Sequence, residues 1–220
     1  MGKAIFLFML SVSLVRPSIA QDLSADDYYE IGFEKFNVED AEAALQALEK
    51  SLKLDSTLEK SWYLQAYIFH EMERADDAIN SYDRLLQINP DHIDGLYNRG
   101  LLRMTLNDFD GALEDYDHSI VLNTQDPDLY MKRGYCHQLK ENLAGAIDDY
   151  SSAIALDSTL LEAYSSRGVG KITVLLLDED KKLNFKQTKS ACEDLFTAQP
   201  LDDPMVKELL SKYCPKKRKN

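Results

Sequence analysis

The chain has 220 residues, 45% of them hydrophobic and 29% charged, with 21 aromatics, three cysteines, nine glycines and six prolines. That composition excludes disordered, collagen-like and disulfide-scaffold classes. A net charge of −13 supplies no basic face for neutralising phosphates, which argues against nucleic acid and against an anionic membrane surface.

The first 20 residues read as an export signal: Lys3 is the positive start, residues 4–15 form an apolar run, and Ser18-Ile19-Ala20 is a small-x-small cleavage pattern. The alternative is an uncleaved anchor. Twelve residues rise about 18 Å as a helix, short of a hydrocarbon core about 30 Å thick, and Arg16 and Pro17 interrupt the run. No cysteine follows the cleavage point to carry a lipid, and the longest later apolar stretch, 174–177, is far too short to span. The expected product is exported, periplasmic or extracellular and of bacterial origin, with a charge of −15 after loss of Lys3 and Arg16.

Downstream of the signal a period of 34 organises the sequence. Ala44, Ala78, Ala112 and Ala146 form one column; Gly32, Ala66, Gly100, Gly134 and Gly168 form another. Leu48, Tyr82, Tyr116 and Tyr150 make a third, and Tyr28, Trp62, Leu96, Tyr130 and Tyr164 a fourth. Within each period two apolar stripes recur at helical spacing, such as Trp62, Ala66 and Phe69, then Ala78, Tyr82 and Leu85. Turn residues close each unit at Asp55-Ser56, Asn89-Pro90, Asn123-Thr124 and Asp157-Ser158. Ser56 with Glu59, and Thr159 with Glu162, read as capping boxes opening first helices.

This pattern resembles the tetratricopeptide repeat family, whose unit is a 34-residue helix-turn-helix. The resemblance implies an all-α, right-handed solenoid over residues 21–200, with units at 25–58, 59–92, 93–126, 127–160 and a degenerate fifth at 161–200. In the fifth unit the alanine column reappears at Ala191, displaced by 11, so an insert is expected near 175–185, as a longer first helix and a charged loop. A capping helix is expected at 201–214, with Asp203 as N-cap, Pro204 at the first helical position and Pro215 as a stop. A basic tail of Lys216, Lys217, Arg218 and Lys219 follows at 215–220, leaving a body of −19.

In an exported protein an odd cysteine count leaves at least one free or intermolecular thiol. Cys136 lies on an apolar helical face and reads as a buried hydrophobe. Cys192 and Cys214, 22 apart, are a candidate disulfide, with free thiols as the alternative.

No motif of an enzyme, cofactor or metal site is present. The histidines, His70, His92, His118 and His137, fall in separate units without ligand spacing, and Gly168-Val169-Gly170 lies in a helical stretch and lacks a third glycine. One charged pattern does carry information. Arg99, Arg133 and Arg167 precede the glycine column in units three to five, and the same units carry Asp115, Asp149 and Asp194. Units one and two lack both members, having Ile31 with Ala47 and Gln65 with Ser81. Partners that come and go together predict structural ion pairs between the paired helices. The alternative is an arginine ladder for an acidic ligand.

In the family resembled, first helices line a concave groove that binds peptides or helices. That face here carries Tyr29, Phe33 and Phe36; Tyr63, Tyr67 and His70; Tyr97, Leu101 and Met104; and Met131, Tyr135 and Gln138. Tyrosines suit an interface, although some of these rings are expected to pack between helices instead. The family's carboxylate clamp would place Asn where Phe33, Tyr67, Leu101 and Tyr135 stand, so a clamp is not expected. The function expected is non-enzymatic binding of a partner's peptide or helix, apolar or aromatic with basic flanks. The alternatives are an assembly subunit docking through the solenoid ends or convex face, and an accessory subunit of an envelope enzyme.

Overall fold

Short polar turns cut the chain into paired helices at the predicted period. The computed structural model describes residues 23–177 and 183–214. The first four pairs are α1 (Ala25–Asn37) with α2 (Ala41–Leu54), α3 (Glu59–Glu71) with α4 (Ala75–Ile88), α5 (Ile93–Thr105) with α6 (Phe109–Leu122), and α7 (Pro127–Leu139) with α8 (Leu143–Leu156). A fifth pair, α9 (Leu161–Leu176) and α10 (Phe185–Thr197), is followed by a 3-10 turn (Gln199–Leu201) and α11 (Pro204–Tyr213). Among the described residues there is no strand, and no helix is long and apolar enough to cross a membrane. The signal reading, the basic tail and the Pro215 stop lie outside the described residues.

Three of the second helices, α2, α6 and α8, start on side-chain caps: Asp40, Asp108 and Asn142 each accept the amide N–H three residues on, whereas α4 starts at Arg74 with no side-chain cap bond. Capping boxes open α1, at Ser24 with Asp27, and α10, at Asn184 with Gln187, while Asp203 caps α11 through the Val206 amide. The boxes expected at Ser56/Glu59 and Thr159/Glu162 do not form. The N-caps there are Leu58 and Leu160, with no side-chain cap bond. Each turn is closed by its aspartate and a threonine instead: Asp55 accepts from the Thr57 amide and hydroxyl at 2.8 and 2.7 Å, and Asp157 accepts from Thr159 at the same distances. These bonds hold both carboxyls below the usual carboxylate range. Between the helices of the first four units a non-glycine residue sits in the left-handed region: Glu39, Glu73, Asn107 and Glu141, again 34 apart, at φ of 58° to 63°.

The alanine column Ala44, Ala78, Ala112, Ala146 and Ala191 is buried, and so is the large column Leu48, Tyr82, Tyr116, Tyr150 and Leu195. The small column between explains how close the paired helices come. A Cβ at Gly134 would lie 2.9 Å from Tyr150 Cε1, and one at Gly100 would lie 3.0 Å from Tyr116 Cζ. Glycine is needed at both positions because the neighbouring ring fills the space.

Each unit packs its first helix on the second helix of the unit before. First helices of successive units also touch, α1 with α3 and α5 with α7, whereas no pair of successive second helices makes a comparable contact. First helices therefore line the inner, concave side, and second helices splay on the outer side. At the C-terminal end α11 covers the exposed edge of the fifth unit. Its Val206 packs with Ile172, Ala191 and Leu195, and a Cys192–Cys214 disulfide ties its end to α10.

Candidate functional site

Two constellations repeat with the helices: a ladder of ion pairs inside the solenoid and a groove on its inner face. In the ladder, each arginine forks onto the carboxylate of its own unit. Arg99 donates to Asp115 at 3.0 and 2.5 Å, Arg133 to Asp149 at 3.0 and 2.5 Å, and Arg167 to Asp194 at 2.9 and 2.7 Å. The carboxylates are nearly fully buried, 2% exposed for Asp115 and 4% for Asp149 and Asp194. Unit two keeps the geometry without charge, the Ser81 hydroxyl donating to Gln65 at 3.2 Å.

Two features of this ladder had no place in the sequence reading. The third guanidinium nitrogen reaches back one unit, from Arg99 to Asp83 (2.6 Å), from Arg133 to Asp117 (2.7 Å) and from Arg167 to the Ser151 hydroxyl (3.1 Å). Each arginine thus joins three helices across a unit boundary. A second basic column, Arg103, His137 and Lys171, flanks the same carboxylates at 2.9, 3.9 and 2.8 Å. These residues are also 34 apart, and that spacing is the signal that would have found them.

The inner face divides into two parts. Over units one and two the aromatic side chains pack on one another: Tyr29 stacks on Phe33, Phe36 meets Tyr67 edge-on, and Tyr63 stacks on His92 while presenting its edge to Tyr82. Over units three to five an open cavity of about 430 Å³ lies between α5, α7 and α9. Its walls include Leu101, Met104, Met131 and Tyr135, all on the predicted face, together with Asp128, Lys132, Leu160, Glu162 and Ser166. Tyr135 is 47% exposed and Phe33 42%. Three predicted groove residues also have structural duties. Tyr97 donates to Asp128 at 2.5 Å, Gln138 accepts from the buried Tyr150 hydroxyl at 3.0 Å, and Met104 Sδ accepts from Tyr116 at 3.6 Å.

His70 stands in the same column as Met104 and Gln138, yet its Nδ1 and the Tyr82 hydroxyl are buried without a hydrogen-bond partner among the described residues. Such orphaned polar atoms cost roughly 1–3 kcal/mol each. A His70→Gln variant places a carboxamide where Gln138 serves Tyr150, and is expected to gain about 1 kcal/mol in urea denaturation. A loss of stability would mean that the imidazole is held for another reason.

Burial pushes the free Cys136 thiol up to about 11 and the Tyr150 phenol to about 12, keeping both protonated at neutral pH. His118 is bonded to Asp91, His92 accepts the Gly95 amide as an N-cap, and His137 flanks Asp149. Among the described residues, no group of three or more His, Cys, Asp or Glu side chains could hold a metal ion.

An all-α solenoid of 34-residue helix pairs with an open inner groove defines the class of helical-repeat proteins. Residues 66–107 match the family described as TPR repeat, and residues 97–160 match the family described as Tetratricopeptide repeat. Solved structures agree over most of the chain. A crystal structure of YrrB, described as a TPR protein with an unusual peptide-binding site, superposes with a TM-score of 0.72 at 20% identity, covering 86% of this chain and 92% of that one. The MamA protein superposes at 0.68 and 23% identity over 86% and 94%. MamA 41-end from Desulfovibrio magneticus RS-1 superposes at 0.69 and 17% over 81% and 94%. These likenesses concern the fold. No curated protein sequence matches the chain.

Proposed function

We propose that the protein is a non-enzymatic interaction scaffold that holds a peptide or helical segment of a partner protein on its concave face. The observation that carries this reading is the apolar cavity between α5, α7 and α9, built from Leu101, Met104, Met131 and Tyr135. A scaffold of regular helix pairs stays rigid while its inner side chains vary, which suits recognition and leaves catalysis without machinery. The YrrB likeness lends support in kind, since that protein's description names a peptide-binding site. Export to the periplasm or extracellular space is part of the same proposal. The Cys192–Cys214 bridge supports it, because such bonds persist in oxidising compartments.

The test is selection of random dodecapeptides against the folded chain, followed by affinity measurement on variants. Tyr135→Ala and Met131→Ala are each expected to weaken selected peptides by about tenfold, the effect of losing roughly one contact of 1.4 kcal/mol. Val121→Ser, on the exposed outer surface of α6, is expected to leave binding unchanged. The reverse pattern would move the site to the convex face and favour assembly through that surface.

A further inference from the structure

The cavity between α5, α7 and α9 is lined by apolar side chains and by two carboxylates, Asp128 and Glu162. Asp94, Asp128 and Glu162 occupy one position of the 34-residue period, each in the first turn of a first helix and each exposed. Asp128 and Glu162 line the cavity itself, with Lys132 as the cation beside them. Asp94 lies on the same side, close enough to Tyr63 to reinforce the rise that burial imposes on that phenol. Acids in a first turn complement the helix dipole, which accounts for their sign. It does not neutralise them. Among the described residues the side chains of Asp94 and Glu162 take part in no ion pair, and Asp128 has only the Tyr97 hydroxyl and a distant Lys132 at 3.8 Å. By contrast the carboxylates of the inner ladder, Asp115, Asp149 and Asp194, are all saturated by arginine.

We propose that this groove selects a partner segment with an apolar anchor seated against Leu101, Met104, Met131 and Tyr135 and with Lys or Arg side chains repeating along the Asp94–Asp128–Glu162 edge. The spacing follows from geometry. Neighbouring helix axes lie roughly 10 Å apart, and an extended chain rises about 3.3 Å per residue. One basic residue about every three positions therefore meets successive carboxylates. The ion pairs are exposed, so each adds a few-fold in affinity at most, is screened by salt, and serves orientation and selection more than strength. The acidic body of the chain steers such a segment from a distance and away from acidic competitors. This inference rests on the groove reading above, and its test separates the two.

Three capped dodecapeptides share a central Leu pair and carry Lys, Ser or Glu at three-residue intervals. Their binding to the full chain is measured by fluorescence anisotropy at 50 and 300 mM NaCl. The Lys peptide is expected to bind about tenfold more tightly than the Ser peptide at low salt, and the Glu peptide more weakly than either. The Lys advantage is expected to collapse at high salt and in the Asp94→Asn/Glu162→Gln double variant. It is expected to survive Glu114→Gln on the exposed face of α6. Equal binding of the Lys and Ser peptides at both salts overturns the basic-flank proposal and leaves groove binding standing. An equal loss in Glu114→Gln also overturns it, because the attraction is then that of the whole surface. Lys-peptide binding that must first dissociate a dimer, seen by sedimentation, gives the groove to a second copy and overturns it too. Binding of all three peptides that ignores Tyr135→Ala removes the groove reading itself.

Discussion

Arg133→Ala is expected to cost about 3–5 kcal/mol of folding stability, because it strands a buried carboxylate. Asp149 is 4% exposed and receives two guanidinium bonds; without them only His137, 3.9 Å away, faces it. The same truncation removes the bond to Asp117, so α6, α7 and α8 lose a shared tie. Two substitutions check this. Arg133→Lys is expected to fall between the native chain and Arg133→Ala, since an ammonium cannot fork onto a carboxylate while reaching a third oxygen. Arg133→Met with Asp149→Leu is expected to recover most of the loss, because no uncompensated charge then remains. Thermal melts read both. A double variant as unstable as Arg133→Ala would show that lost packing of the arginine stem dominates. If Arg133 is structural, partner affinity is unchanged at temperatures where the variant is folded; lost binding with an unchanged melting temperature would make the ladder a ligand site.

The second large effect concerns the C-terminal end. Cys192→Ala with Cys214→Ala, or reduction of the native chain, removes a cross-link closing 22 residues of sequence. The loop-entropy relation puts the destabilisation at about 3 kcal/mol. The loss is expected to be local. α11 retains Val206, with Leu209, Leu210 and Tyr213 packed around Ile172 and Leu195, so it loosens without releasing the rest of the solenoid. Hydrogen exchange is expected to accelerate over 204–213 and to stay unchanged over 109–156. Uniform acceleration would instead make α11 a cooperative part of the whole fold.

The solenoid was legible in the sequence because burial is periodic. Residues such as Ala112 and Tyr116 recur in kind at every unit, and only a stack of helix pairs buries all of them at once. Arg99 and Asp115 were legible as a pair because both are missing where either is missing. Their reach to Asp83 was not, since aspartates are common on the second helices and one more announces nothing. The left-handed turns at Glu39, Glu73 and Glu141 were hidden for a different reason: glutamate carries no preference for that conformation, so tertiary packing imposes it. The misplaced capping boxes have a local cause. At 55–59 Asp55 and Thr57 close the turn on each other, the helix starts two residues later than Ser56 at Leu58, and Glu59 accepts from Asn89 instead of reaching back. Within the groove the periodicity placed the right column on the inner face. It did not distinguish Tyr135, open to solvent, from Gln138, turned towards Tyr150, because three residues of separation keep both on one side of the helix.

The arginine ties begin only at unit three, and this gives the molecule a mechanical polarity. From α4 onward each unit boundary is riveted by a guanidinium, and the last edge is locked by α11 and its disulfide. The boundary between the first two units has a hydroxyl contact from Ser51 to Ser61, apolar packing, and pairs of Lys60 with the exposed Asp26 and Glu30, which hold far less than a buried guanidinium fork. Heat or tension should therefore peel the chain from its N-terminal end, the fray running inward and halting near α4. A guest held between α5 and α9 would sit on the stiff part of this spring, while units one and two breathe beside it.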